Sequence, residues 1–208
     1  MPEPHEAAHE AAEHVEGHHL EGQNKKIALL IAVLALFLAF SETLGKSSQT
    51  NAISSNVEAA NLWAFFQAKT IRATQVRVAA DSMAVNAAAA ADPALKAVQQ
   101  KQIEDWRKTA ERYESEPSTG EGRKELAARA KHAEERRDYA LARYHNFEIA
   151  SAAFQIAIVL ASATVITSII ALSYLSGLLG IGGLVFMAIG LISPHLIETL
   201  LGLFGAGH

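Results

Sequence analysis

The chain contains no cysteine. No disulfide framework and no thiolate chemistry is therefore open to it, and the absence does not decide the compartment. Also missing are a glycine-rich phosphate loop, a Ser/His/Asp arrangement with supporting context, and a redox motif. A third absence is charge. Between Glu148 and Glu198 there is no Asp, Glu, Lys or Arg. A helix on the surface of a soluble core alternates faces and shows a charge every few residues. About 20 apolar residues span a bilayer, so a charge-free run of this length reads as two spans and a turn.

An earlier apolar run starts after Lys25 and Lys26 and continues from Ile27 to Phe40. Residues 1–24 precede the lysines and no clear A-x-A cleavage site follows, so the run reads as an uncleaved anchor. The pattern predicts an all-α integral membrane protein with three transmembrane helices, over 25–45, 149–173 and 178–199. Tyr174-Leu175-Ser176-Gly177 is the expected turn between the last two. Ala153, Ala157 and Ala161 form a small-residue stripe on one of them, and Gly177, Gly180 and Gly183 thin the other. Such residues let helix backbones approach closely where lipid supplies no hydrophobic drive for association.

Residues 46–148 are rich in Ala, Glu, Lys, Arg and Gln, and predict an extramembrane helical-hairpin, coiled-coil-like domain. Asp92-Pro93 marks one break and the 116–122 segment, Glu-Pro-Ser-Thr-Gly-Glu-Gly, marks another. Leu126, Ala130, Ala133, Arg137, Ala140, Tyr144 and Phe147 recur at three-four spacing, a seam with small residues in it. In an antiparallel pair rising 1.5 Å per residue, Trp63 stands at the height of Ala130. Trp63 and Phe66 then face Ala127, Ala130 and Ala133, a match of large against small that favours an intramolecular core over a surface-lying aromatic segment.

Charge is segregated along the chain. The first 26 residues hold six Glu against Lys25 and Lys26, and the other 16 Lys and Arg lie between Lys46 and Arg143. The middle segment is close to balanced, which argues against nucleic acid as a partner. Near the span ends, Lys46, Arg129, Lys131, Arg136, Arg137 and Arg143 share one side, and Lys25 and Lys26 the other. The positive-inside rule then sets the helical domain in the cytoplasm.

Several residues carry candidate chemistry. His5-Glu6-Ala7-Ala8-His9 fits H-E-x-x-H, the spacing that sets two zinc ligands on one helix face beside a general base. A catalytic zinc also needs a third ligand and a rigid shell, and a tail of Glu, His, Ala and Gly over residues 1–24 reads as mobile. Loose chelation by His5, His9, His14, His18 and His19 is the weaker metal reading, beside a merely solubilising acidic tail. Glu42 lies near the end of the first span, where an ionisable group is either a proton or cation site or a headgroup-level residue paired with Lys46 one turn on. His195, after Pro194, and Glu198 are the corresponding polar candidates of the third span.

Trp63-Ala64-Phe65-Phe66-Gln67-Ala68-Lys69-Thr70-Ile71-Arg72 and Phe154-Gln155-Ile156-Ala157-Ile158-Val159-Leu160-Ala161-Ser162 resemble segments of an uncharacterised bacterial membrane-protein family, known as a domain of unknown function. The resemblance implies a bacterial inner-membrane location and a three-span layout. It implies no activity and supplies no catalytic residue. The reading is a non-enzymatic membrane scaffold or accessory protein without cofactor, whose partners are the lipid bilayer, further copies of itself and an unidentified protein. The alternatives are a small oligomeric channel or transporter with Glu42 near the path, and metal handling through the His-rich tail.

Overall fold

The computed structural model describes the backbone of residues 4–196 and the side chains from residue 24 onward within that range. Among the described residues four helices follow one another: α1 (Pro4–Ala89), α2 (Pro93–Glu114), α3 (Arg123–Thr167) and α4 (Ile170–Ile192). Among the described residues there is no strand. The stretch over 1–24 that composition reads as mobile enters α1 at Pro4, and its side chains before Asn24 lie outside the described residues. Among the described residues three helices are long and apolar enough to cross a membrane: Asn24–Ala89, Arg123–Thr167 and Ile170–Ile192.

The chain forms two compact units, one of residues up to Thr50 and from Tyr139 on, the other of Asn51–Asp138. In the first, the opening of α1, the end of α3 and the whole of α4 pack around Leu34, Ala150, Phe154 and Ala157. Phe37 stacks on Phe154 with ring centroids 6.0 Å apart. Close packing and hydrogen bonds between helices are the interactions that hold apolar helices together in lipid. Both are present. A Cβ at Gly183 would lie 2.7 Å from the Phe154 ring, so the ring seats against bare backbone. Ser41 Oγ donates to the Phe147 carbonyl at 2.9 Å, and Ser176 Oγ to the Ala157 carbonyl at 2.7 Å, both fully buried.

The reversal between α3 and α4 falls at Ser168–Ile169, not at Tyr174–Gly177, which lies inside α4. Ser168 takes a left-handed backbone (φ 59°) and its N–H donates to the Thr164 carbonyl at 2.9 Å, closing α3. Of the residues expected to make the turn, Ser176 serves as a contact position instead. Ser176 meets Ala157 and Gly183 meets Phe154, contacts that require a continuous helix there. At its other end α4 stops at Ile192, where Ser193 leaves the helical conformation (φ −149°, ψ 77°) before Pro194. Pro194 is thus a helix stop and not a kink within a span.

In the second unit, the remainder of α1, α2 and the opening of α3 pack together. The buried residues of α1 here are Ala52, Ala59, Leu62, Lys69, Ala73, Ala80 and Ala87, a seven-residue repeat filled chiefly by alanine. Ala59 and Leu62 form a core with Leu126, Ala130 and Ala133 of α3, covered by Trp63 and Phe66. Ala80 and Ala87 form a second with Ile103 of α2, covered by Met83 and Trp106. Asp92 caps α2 by accepting from the Ala94 N–H at 2.9 Å, with Pro93 in the first turn, so the proline that breaks α1 also starts α2.

Candidate functional site

In the first unit α1 and α3 enclose a shallow groove of about 270 Å³, lined among others by Ser41, Glu42, Lys46, Tyr144 and Glu148. The expected partner of Glu42 is Lys46, one turn along the same helix. The carboxylate instead accepts from Gln155 Nε2 of α3 at 3.3 Å, while Lys46 lines the groove beside it. The i,i+4 rule sees one helix, whereas the antiparallel neighbour offers a donor that no local pattern reveals. Across the groove the Tyr144 hydroxyl donates to Glu148 at 3.4 Å, and His145 Nδ1 lies 3.7 Å from the same carboxylate.

Two further polar contacts fix the end of α4. Asn146, buried within α3, donates through Nδ2 to the Pro194 carbonyl at 3.0 Å and to the Ala142 carbonyl at 2.8 Å. The imidazole of His195 stands 5.9 Å from the Tyr139 ring. His195 is therefore beside an aromatic ring. Glu198 lies outside the described residues.

Several polar side chains of the second unit tie one helix to another. Trp63 Nε1 donates to Glu134 Oε1 at 2.9 Å, and Phe66 meets the Trp63 ring edge to face at 5.4 Å. Ala127 is half-buried beside the fully buried Ala130 and Ala133. Arg136 pairs with Glu58 across the same two helices. Lys69, a cation 93% removed from solvent, has its ammonium 5.4 Å from the Phe65 ring centroid, 5.2 Å from that of Tyr113 and 3.6 Å from Glu121. The ring faces and the carboxylate offset the cost of burying the charge. In the α2–α3 connection Glu125 accepts from Ser115 Oγ at 2.7 Å and from the Glu116 N–H at 3.2 Å, and these donors hold its carboxyl below the usual value. Gly122 is required beneath it, because a Cβ there would collide with Glu125 and with the Glu116 backbone.

Sequence reasoning singled out Trp63, Phe66 and the alanines, and missed Ser41, Lys69, Glu134, Asn146, Gln155 and Ser176. The one signal that could have found some of them is polar residues at the seven-residue spacing of the buried face, as in Ser41 and Ser48. The side chains of His5, His9, His14, His18 and His19 lie outside the described residues. Among the described residues no group of three His, Cys, Asp or Glu is placed to hold a metal.

The profile of a family described as a domain of unknown function, DUF4337, matches residues 23–193. The chain belongs to the DUF4337 family. The matched stretch of DUF4337 takes in all of the second unit and most of the first, including the groove and the Trp63–Glu134 tie, begins after the histidine cluster and ends one residue before Pro194. No curated protein and no solved structure matches the chain.

Proposed function

We propose that this DUF4337 protein is a non-enzymatic membrane scaffold or accessory subunit of a bacterial inner membrane. Its three apolar helices anchor it, and the Asn51–Asp138 unit is an extramembrane, cytoplasmic helical arm through which it assembles with further copies and with a protein partner. The observation that carries this reading is where the polar side chains go. Trp63, Glu134, Glu58, Arg136, Lys69 and Glu125 all serve to tie helix to helix or helix to loop. That is the economy of a rigid arm, since hydrogen-bonded ties between helices order a shape. Extraction in a mild detergent tests the reading. An assembly larger than one 22.3 kDa chain, or a stoichiometric partner, is expected. A stable monomer that brings no protein with it would overturn it.

A second reading, a small channel built from several copies, has the Glu42–Gln155 pair in its favour, an ionisable group hydrogen-bonded between two apolar helices. It is separated from the first by ion flux in liposomes.

A further inference from the structure

The surface charge of the second unit is unevenly shared. From Arg123 to Asp138, α3 carries ten Asp, Glu, Lys and Arg in 16 residues, and α2 carries nine in 22. From Asn51 to Ala89, α1 carries five in 39, and one of these, Lys69, is buried. A helix face turned to water has no reason to shed its charge, whereas depletion of charge is the compositional mark of an interface.

The apolar residues on that face are ordered. Val57, Ile71, Val78 and Val85 are 53%, 59%, 62% and 72% exposed, and they fall every seventh residue with Ala64 in the remaining place. Ile53 and Ala60 occupy the intervening positions at the start, followed by Gln67, Thr74, Asp81 and Ala88. At about 100° per residue, this stripe lies roughly opposite the Ala59 and Leu62 row that faces the unit's own core. One helix thus carries two seven-residue repeats back to back, one filled and one open. The small-residue seams that first suggest association, Ala130 and Ala133 or Ala157 and Ala161, are fully buried within the chain itself. Any self-association must use another face.

We infer that the Val57–Ile71–Val78–Val85 stripe of α1 is a homotypic docking seam, occupied by the same stripe of a second copy running parallel. This deepens the scaffold reading and rests on it, because the parallel sense comes from the membrane. Two copies inserted in one membrane with the same orientation present α1 in the same direction. A two-fold axis between them sets each residue of the stripe against itself, an isologous contact that needs no other sequence. Four β-branched residues at one heptad position suit a parallel two-stranded seam. The flanking positions are Ser, Asn, Trp, Thr, Gln and Ala with Arg77 as the one charge, so the flanks carry no charge pattern against a like partner. From Ile53 to Val85 the strip runs about 48 Å, and at a helix-pair width of about 10 Å the two copies would cover on the order of 1,000 Å², near the lower bound for a specific interface. Confinement to one bilayer raises the effective concentration that such a modest seam requires. Asp81 lies in the seam and would meet its own counterpart, a like-charge contact that opposes pairing.

The lack of cysteine makes the test direct. Single substitutions Val57→Cys, Ile71→Cys, Val78→Cys and Val85→Cys are oxidised in native membranes, with Lys101→Cys on α2 and Lys131→Cys on α3 as controls. The seam predicts a covalent species of twice the chain mass at the four stripe positions, at least tenfold above the controls. Adding Asp81→Asn should raise the yield. Equal yields everywhere, no dimer at the stripe, or an adduct of another mass overturns the proposal. Detergent sizing of the unoxidised protein separates the two failures. A larger assembly without stripe cross-links rejects this seam and leaves the scaffold reading standing, while a lone monomer rejects both. Val78→Glu should lower the assembly size with helix content unchanged; retained size contradicts the seam.

Discussion

The indole Nε1 of Trp63 donates to Oε1 of Glu134 at 2.9 Å, joining α1 to α3 across 71 positions of sequence. Trp63 rests on the alanine-rich core of the second unit, so its ring contributes packing and its N–H contributes a charge-assisted bond. Trp63→Phe keeps most of the packing and leaves Glu134 without its donor, at a cost of about 1 kcal/mol. Trp63→Ala also opens a cavity and should cost about 3 kcal/mol. Thermal unfolding in detergent should rank wild type above Trp63→Phe and Trp63→Phe above Trp63→Ala. A Trp63→Phe protein as stable as wild type argues that the bond contributes nothing.

Gly183 and Phe154 make a second such pair within the first unit. Gly183→Leu drives a side chain into the ring and should destabilise the bundle by about 1–3 kcal/mol. Adding Phe154→Ala makes room for the new side chain, so the double variant should recover part of the loss. Two penalties that simply add would show that the residues do not touch in the folded bundle.

Acid should loosen the α2–α3 connection. Glu125 is held below its ordinary 4.5, first by the Ser115 hydroxyl and also by backbone N–H groups. A carboxyl whose folded value is depressed stabilises the folded state above its unfolded value and loses that contribution as pH falls through the folded one. Glu116, held down chiefly by Arg112, and Glu104, by Lys108, act in the same direction. Amide exchange over residues 115–122 should therefore quicken below pH 4.5 in the wild type. Glu125→Gln should remove part of that dependence, and an unchanged pH profile in the variant would count against this role.

Glu42→Gln separates the two functional readings. The scaffold account expects liposomes holding wild type or Glu42→Gln to pass ions no faster than protein-free ones. Flux through wild type that the substitution abolishes would establish the channel reading in its place.

What could be read from the sequence is what depends on neighbours along the chain. Asp92 and Pro93 announce a helix start because both the cap and the proline act within one turn. The height argument that sets Trp63 beside Ala130 needs a constant rise per residue, and both residues meet in one core cluster. The α3–α4 turn was misplaced because the run after Glu148 has no charge or proline to punctuate it. The reversal is instead set by which small residues must face Leu34, Phe154 and Ala157, a tertiary demand. Likewise Gln155, 113 positions from Glu42, displaces Lys46 as that carboxylate's partner. Ser41 and Ser176 look like ordinary small residues until the carbonyls they reach, on another helix, are known.

The central claim is a three-span anchor with the Asn51–Asp138 unit held on the cytoplasmic side. Single Glu16→Cys and Ser118→Cys variants, treated in intact cells with a membrane-impermeant maleimide, test it most directly. The account predicts labelling at residue 16 and none at residue 118 until the cells are opened. Labelling at 118 alone would place the arm on the outer face and reverse the orientation. Labelling at both would contradict the odd number of spans between tail and arm, and with it the membrane arrangement on which the scaffold reading stands.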